Sequence, residues 1–351
     1  MNLQRLGIAL LIGCAAGVNF AEQPLWQRST RVQLALEQDN NIKESPTQPE
    51  GAPSLRFLLH CRGQGQHGKT AADFSLQLVC QGYWQHLEEN KAVGELAAGG
   101  TWFASQRWSL GGRGSLRLKT FLNGGLTYLA STVTAFAHTQ LPAKISATAS
   151  LSGESLDYSG SSEYDSQGWG AELVLSRPVA AWLRVGATMG GQQGSLDRPA
   201  YTYDRATDRW STLPDRHRDR SFHGGARLEV HRRGQWAIAY LYERTSSNSY
   251  GYGFLRHKVS LLGAVRLHEK VLLRLYGLLQ RKRYAEEVGP TVPMGLDTER
   301  EQSNVLVVDF SRPLSARLTA ILRLAWYDNE SLVRGWYYEK STMSLSLERR
   351  F

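Results

Sequence analysis

The sequence predicts an all-β fold, a single antiparallel barrel of about 16 strands with 14 as the alternative, one face toward lipid and the other toward water. Three observations lead there. Segment after segment alternates apolar and polar side chains with a period of two, the repeat of a strand whose two faces meet different surroundings. The connections alternate between short and long, as they do where neighbouring strands run up and down around a barrel. The composition, finally, rules out helical spans: the 351 residues are 42% apolar with a mean hydropathy of -0.37. Beyond the N-terminus no run approaches the ~18 apolar residues that a membrane helix needs.

Residues 1–21 carry a single charge, Arg5, then the apolar run from Leu6 to Gly13 and a small-residue tail. That is the layout of a secretory signal cut after Ala21, which leaves 22–351 as the barrel. Leu11-Ile12-Gly13-Cys14 also has the form of a lipobox, in which Cys14 would be acylated. Either route exports the chain. Cys61 and Cys80 then remain, both on outward faces of adjacent segments. A turn near Gly68 pairs Cys61 with a residue near Phe74 or Leu76, so Cys80 falls ~13 Å further along, beyond disulfide reach. Two free lipid-facing thiols are expected.

From residue 30 onward the segments follow in order. Val32, Leu34 and Leu36 face out against Arg31, Gln33, Ala35 and Glu37, and the first segment ends at Asp39-Asn40-Asn41. A polar loop leads to Leu55, Phe57 and Leu59, which alternate with Arg56, Leu58 and His60; the third and fourth strands run from about Asp73 to Trp84 and from about Ala92 to Phe103. In the fifth, Leu110, Leu116 and Leu118 oppose the inward row Arg113, Arg117 and Lys119, a row with no nearby acidic partner in sequence. The sixth, near Leu126 to Ala137, has no clear phase. The seventh is clean, with Ile145, Ala147, Ala149 and Leu151 outward and Ser146, Thr148, Ser150 and Ser152 inward.

The eighth turns Glu172 inward, the ninth Arg184, and the tenth and eleventh flank Arg233-Gly234 with His223, Arg227, Glu229 and Glu243 inward. The twelfth and thirteenth add Lys258, Arg266, Arg274 and Lys282. The fourteenth turns in Asp309, the fifteenth Arg323, and the last has Met343, Leu345, Leu347 and Phe351 on one face with Lys340, Ser344, Ser346, Glu348 and Arg350 on the other. Long loops are expected at 196–218 and 285–300. Trp84, Trp102, Trp236, Trp326 and their aromatic neighbours sit near segment ends, as interfacial girdles do.

The closing segment Ser346-Leu347-Glu348-Arg349-Arg350-Phe351 resembles the last strand of Gram-negative outer-membrane barrels. The resemblance implies an outer-membrane location and a role for Phe351 as a signal to the barrel assembly machinery. Asp39-Asn40-Asn41-Ile42 and the final hairpin, with Trp326-Tyr327-Asp328-Asn329 and Tyr337-Tyr338, are similar to barrels of exopolysaccharide systems and of surface lipoprotein assembly modifiers. This sequence has no counterpart of the helical repeat module of the assembly modifiers.

The formal charge of +9 is spread through the strands instead of forming a patch or tail, which argues against nucleic acid. Inward basic residues outnumber inward acidic ones, and the pore-lining candidates are Arg113, Arg117, Lys119, Arg184, Arg227, Lys258, Arg266, Arg274, Lys282 and Arg323. A positive surplus in a wet lumen favours anions; pairing into networks that brace the wall is the other use of such groups. The leading expectation is a porin-like channel for small anionic or saccharide solutes, needing no cofactor and no metal. A non-conducting barrel serving surface assembly, export or partner binding is the alternative. A rim hydrolase built on Asp215-Arg216-His217-Arg218-Asp219 is the second, although no serine nucleophile is framed by a matching motif, and the chain is expected not to be an enzyme.

Overall fold

The computed structural model describes residues 26–123, 127–286, 303–329 and 338–351. They form β1 (Gln27–Asp39), β2 (Ala52–His67), β3 (Thr70–Tyr83), β4 (Lys91–Phe103), β5 (Trp108–Phe121), β6 (Tyr128–Leu141), β7 (Ile145–Tyr158), β8 (Ser166–Ala180), β9 (Leu183–Asp204), β10 (Arg209–His231), β11 (Gln235–Ser247), β12 (Phe254–His268), β13 (Val271–Tyr284), β14 (Ser303–Pro313), β15 (Leu318–Asn329) and β16 (Glu339–Arg350). Each strand pairs antiparallel with its sequence neighbour, and β1 pairs with β16 to close the barrel. The closure runs from Arg31 opposite Arg350 to Asp39 opposite Thr342, and the Phe351 backbone N–H donates a hydrogen bond to the Thr30 carbonyl at 2.9 Å.

Within the belt shared by all the strands, closure leaves no strand edge with bare amides, which is the condition for placing a sheet in hydrocarbon. The outward face is the apolar one: Leu36, Val133, Leu151, Leu279 and Leu345 are 60–67% exposed. Buried in protein, such residues would need a covering layer, and among the described residues no helix exceeds three residues. Lipid is therefore the cover. Glycines let outward aromatic rings lie flat on the wall, since a Cβ at Gly63 or Gly263 would collide with Phe74 or Trp236. The phase of β6 is set by its pairing with β5, which puts Tyr128 on the face of Lys119 and leaves Leu129 and Val133 toward lipid.

Short connections follow the even strands, as at residues 68–69, 232–234 and 269–270, and lie on the same edge as the start of β1 and the end of β16. Gly68 has φ +54°, the left-handed geometry that a tight turn needs. The expected loop at 196–218 is not one. β9 and β10 continue as a hairpin to a four-residue tip between Asp204 and Arg209, and register shifts between Thr212 and Arg218 absorb the disruption near Pro199 and Pro214. Tyr203, Trp210 and Tyr250 pack together above the rim with centroids 4.9–5.6 Å apart, which holds the projecting hairpin. The expected loop at 285–300 lies mostly outside the described residues, as do residues 1–25 with the expected signal segment and Cys14.

Cys61 pairs with Leu76 and Cys80 with Phe57, and both thiols are free, as the turn at Gly68 requires. The outward apolar face yields a direct test. Leu345→Arg near the middle of β16 is expected to lower unfolding stability in bilayers by about 2–4 kcal/mol, read from the urea midpoint of the reconstituted barrel.

Candidate functional site

The lumen wall is the surface on which the chemistry of this chain collects. Period-two alternation sends every second side chain of each strand inward, and register then decides which charges meet. Arg323 of β15 lies opposite Asp309 of β14, and its guanidinium grips that carboxylate through Nε at 2.7 Å and a second nitrogen at 2.9 Å. Arg274 reaches the same carboxylate from β13 at 3.8 Å. On β10, Glu229 is held in the same way by Arg227 at 2.8 Å and by Arg184 of β9 at 3.7 Å. One carboxylate between two guanidinium groups leaves a net positive charge at each cluster.

The two clusters differ from surface ion pairs in who faces water. Asp309 and Glu229 are 9% and 21% exposed, whereas Arg227 and Arg184 are 51% and 55% exposed. The acids lie against the wall and the guanidinium groups present themselves to the lumen. Arg227, Glu229, Arg274, Asp309 and Arg323 share a cavity of about 570 Å³ with His231, Gln235 and Tyr276.

A third cluster sits on the long-loop side, where Lys340 contacts Asp39 at 2.9 Å and Glu44 at 3.4 Å, and Arg56 contacts Glu37 at 3.0 Å. Gln81 bridges Glu37 and the Tyr83 hydroxyl, which in turn donates to Asp39 at 3.2 Å. A smaller cavity of about 210 Å³ opens between these groups and Lys91. Ile42, Ala52 and Tyr83 pack behind it and fix the β1–β2 loop on the wall.

By register the expected basic residues fall on the same face of the sheet as Glu229 and Asp309. Arg113 is not without a partner, however: Asp73, two strands back across Gly99, lies 3.6 Å away. Separation in sequence hid a pair that register creates. Arg117 stands opposite Glu95, and the Lys119 ammonium lies 5.0 Å from the Phe121 ring and 6.0 Å from that of Tyr128. Lys258 and Arg266 stand opposite Gln280 and Leu272, and Lys282 lies 5.7 Å from the Phe254 ring. Inward groups missed in the sequence are Asp39, Asp73, Lys91 and Arg256, the last paired with Glu243. All but Asp73 lie at strand ends that read as loop, and only an earlier start or later stop of the alternation could have found them.

The string Asp215–Asp219 does assemble a histidine with a carboxylate and a hydroxyl. His217 Nε2 lies 2.8 Å from Asp219 Oδ1 and 3.1 Å from Ser247 Oγ, while its Nδ1 is buried without a partner. A hydrolytic relay puts acid and nucleophile on opposite ring nitrogens, whereas here both crowd one. His217 is also wholly buried under Tyr252, whose ring centroid is 4.5 Å away. Arg198 holds the Tyr252 hydroxyl at 2.8 Å, and burial pushes that phenol's pKa up. As arranged, the group bolts the irregular part of β10 to β9 and to the β11–β12 connection. Among the described residues no cluster of histidine, cysteine and carboxylate groups could hold a metal ion.

No family model and no curated protein matches the sequence. Solved structures with a similar chain path include a bacterial polysaccharide outer membrane secretin, at 8% identity and a TM-score of 0.46, covering 92% of this chain and 98% of the other. The outer membrane protein OmpT of Vibrio cholerae gives 8% identity and a TM-score of 0.46 over 95% of this chain and 100% of its own. OccAB3 of Acinetobacter baumannii gives 9% and 0.44, over 93% and 99%.

Asp309 is the sharpest point at which to test the wall. Asp309→Asn removes the shared anchor of Arg274 and Arg323 and is expected to destabilise the barrel by about 1–3 kcal/mol, discounted for contact with lumen water. The urea midpoint of the refolded protein measures it.

Proposed function

We propose that this chain is an outer-membrane channel whose wet, positively biased lumen passes small anionic solutes, acidic saccharides among them. The observation that carries this is the arrangement at Glu229 and Asp309, where each wall-bound carboxylate anchors two arginines and leaves the positive ends toward the lumen. Bracing and selectivity are then one device: the acids orient the guanidinium groups, and the surplus of cations sets the field. A barrel of 16 strands is wide enough for water, whereas about 8 strands would be filled by side chains.

The reading is tested by conductance of the refolded barrel in a planar bilayer under a salt gradient. Open steps with anion preference are expected, and the combined variant Arg184→Gln, Arg227→Gln and Arg274→Gln should bring the preference severalfold closer to unity. A folded barrel with no steps, or one with cation preference, contradicts it.

We also assign recognition by the barrel assembly machinery to Phe351. Its side chain is 64% exposed beyond the end of β16, with the Arg349 guanidinium 4.9 Å from the ring, so it is open to a partner before closure and to lipid afterwards. Deleting Phe351 should reduce the membrane-assembled, heat-modifiable fraction in cells severalfold while refolding in detergent stays intact. Equal assembly of the truncated chain refutes the assignment.

A further inference from the structure

The outward face of β10–β13 changes character sharply along its length. One rung across these strands is apolar to amphipathic, with Ala226, Tyr240, Val259 and Leu279 in register. The next rung toward the long-loop edge carries Tyr242, His257 and Arg281, and the one beyond it Phe222, Arg244, Leu255 and Arg283. Arg220 follows on β10. This sequence of rungs follows the polarity of a lipid monolayer, from acyl chains through the aromatic boundary to the headgroups.

The basic side chains there are exposed and, among the described residues, have no carboxylate partner. Arg220, Arg244, Arg281 and Arg283 make no ion pair, and at these rungs the nearby carboxylates Glu243 and Asp219 are on the inward face. His257 is already engaged with the Tyr240 hydroxyl at 2.8 Å. The contrast with the lumen is physical: Arg184, Arg227, Arg274 and Arg323 are anchored by acids, whereas these four outward arginines are left open. Arg244 and Arg283 flank Leu255 on alternate strands, so their Cα atoms lie ~10 Å apart at ~4.8 Å per strand, the scale of one phosphorylated headgroup.

We propose that Arg220, Arg244, Arg281 and Arg283 form a binding site for phosphate groups of an anionic membrane lipid, seated at the long-loop edge of the barrel. Guanidinium groups suit this ligand because their planar donors pair with phosphate oxygens in bidentate fashion. Acyl chains of the same lipid would lie on Val259 and Leu279 beneath, which are exposed by 41% and 66%. The site is independent of whether the lumen conducts.

Native mass spectrometry of the full barrel released from mixed nanodiscs tests it, with a bisphosphorylated glycolipid against phosphatidylcholine. The wild type should retain the phosphorylated lipid with a preference of at least about tenfold, and the variant Arg244→Ser, Arg281→Ser, Arg283→Ser should lose most of it. Arg113→Ser, in the lumen, should leave the preference unchanged. A triple variant that keeps the lipid overturns the site, as does equal retention of phosphatidylcholine. Displacement of the lipid by millimolar inorganic phosphate alone would assign the arginines to a free anion instead. Heat modifiability on gels reports folding, and if the triple variant does not fold, Arg281→Glu is read by the same lipid ratio.

Discussion

Backbone pairing without a free edge is the constraint on which the rest of this structure depends. In hydrocarbon an unpaired amide or carbonyl has no water to turn to, so a sheet in a membrane must close. Here closure is made by β1 and β16, the two ends of the barrel, and continues to the last amide, which bonds the Thr30 carbonyl. The first and last strands are therefore neighbours in one wall. That is why the strongly alternating C-terminal segment tells so much about the whole.

Once the sheet is closed, alternation divides the side chains into two populations with opposite rules. Outward positions take leucine and valine because burying apolar surface in lipid is favourable, and glycines allow Phe74 and Trp236 to lie on the wall. Inward positions take charge, because water and neighbouring strands can satisfy it. Register then assembles clusters that no local sequence spells out: Arg184 with Glu229, Arg274 and Arg323 with Asp309, Arg113 with Asp73. The acids end up against the wall and the bases toward water. The same rule, relaxed at the long-loop rim, leaves Arg244, Arg281 and Arg283 outward at headgroup level.

The fold was legible because its signal is local and repeated. Ile145 to Ser152 alternates without a break, and the short connections at Arg233-Gly234 and His268-Glu269 mark where the chain turns. Strand ends were not legible, since loops and strand extensions share polar residues. Residues 196–218 read as loop because of their charges and prolines, yet pairing with Tyr201, Tyr203 and Trp210 carries the hairpin well beyond the rim. The inward arginines were readable one strand at a time, but their partners were not. Asp73 and Arg113 are forty residues apart in sequence and meet only through the pairing of β3, β4 and β5.

The central claim is that alternate residues of one strand meet lipid and an aqueous lumen. Spin labels placed singly at positions 147 to 152 of β7, with Cys61 and Cys80 replaced by serine, test it in bilayers. Labels at Ala147, Ala149 and Leu151 should relax with oxygen, and those at Thr148, Ser150 and Ser152 with a water-soluble nickel chelate, in strict alternation. Six labels that respond alike, or lumen positions reached by neither reagent, would contradict a wet barrel with lipid outside.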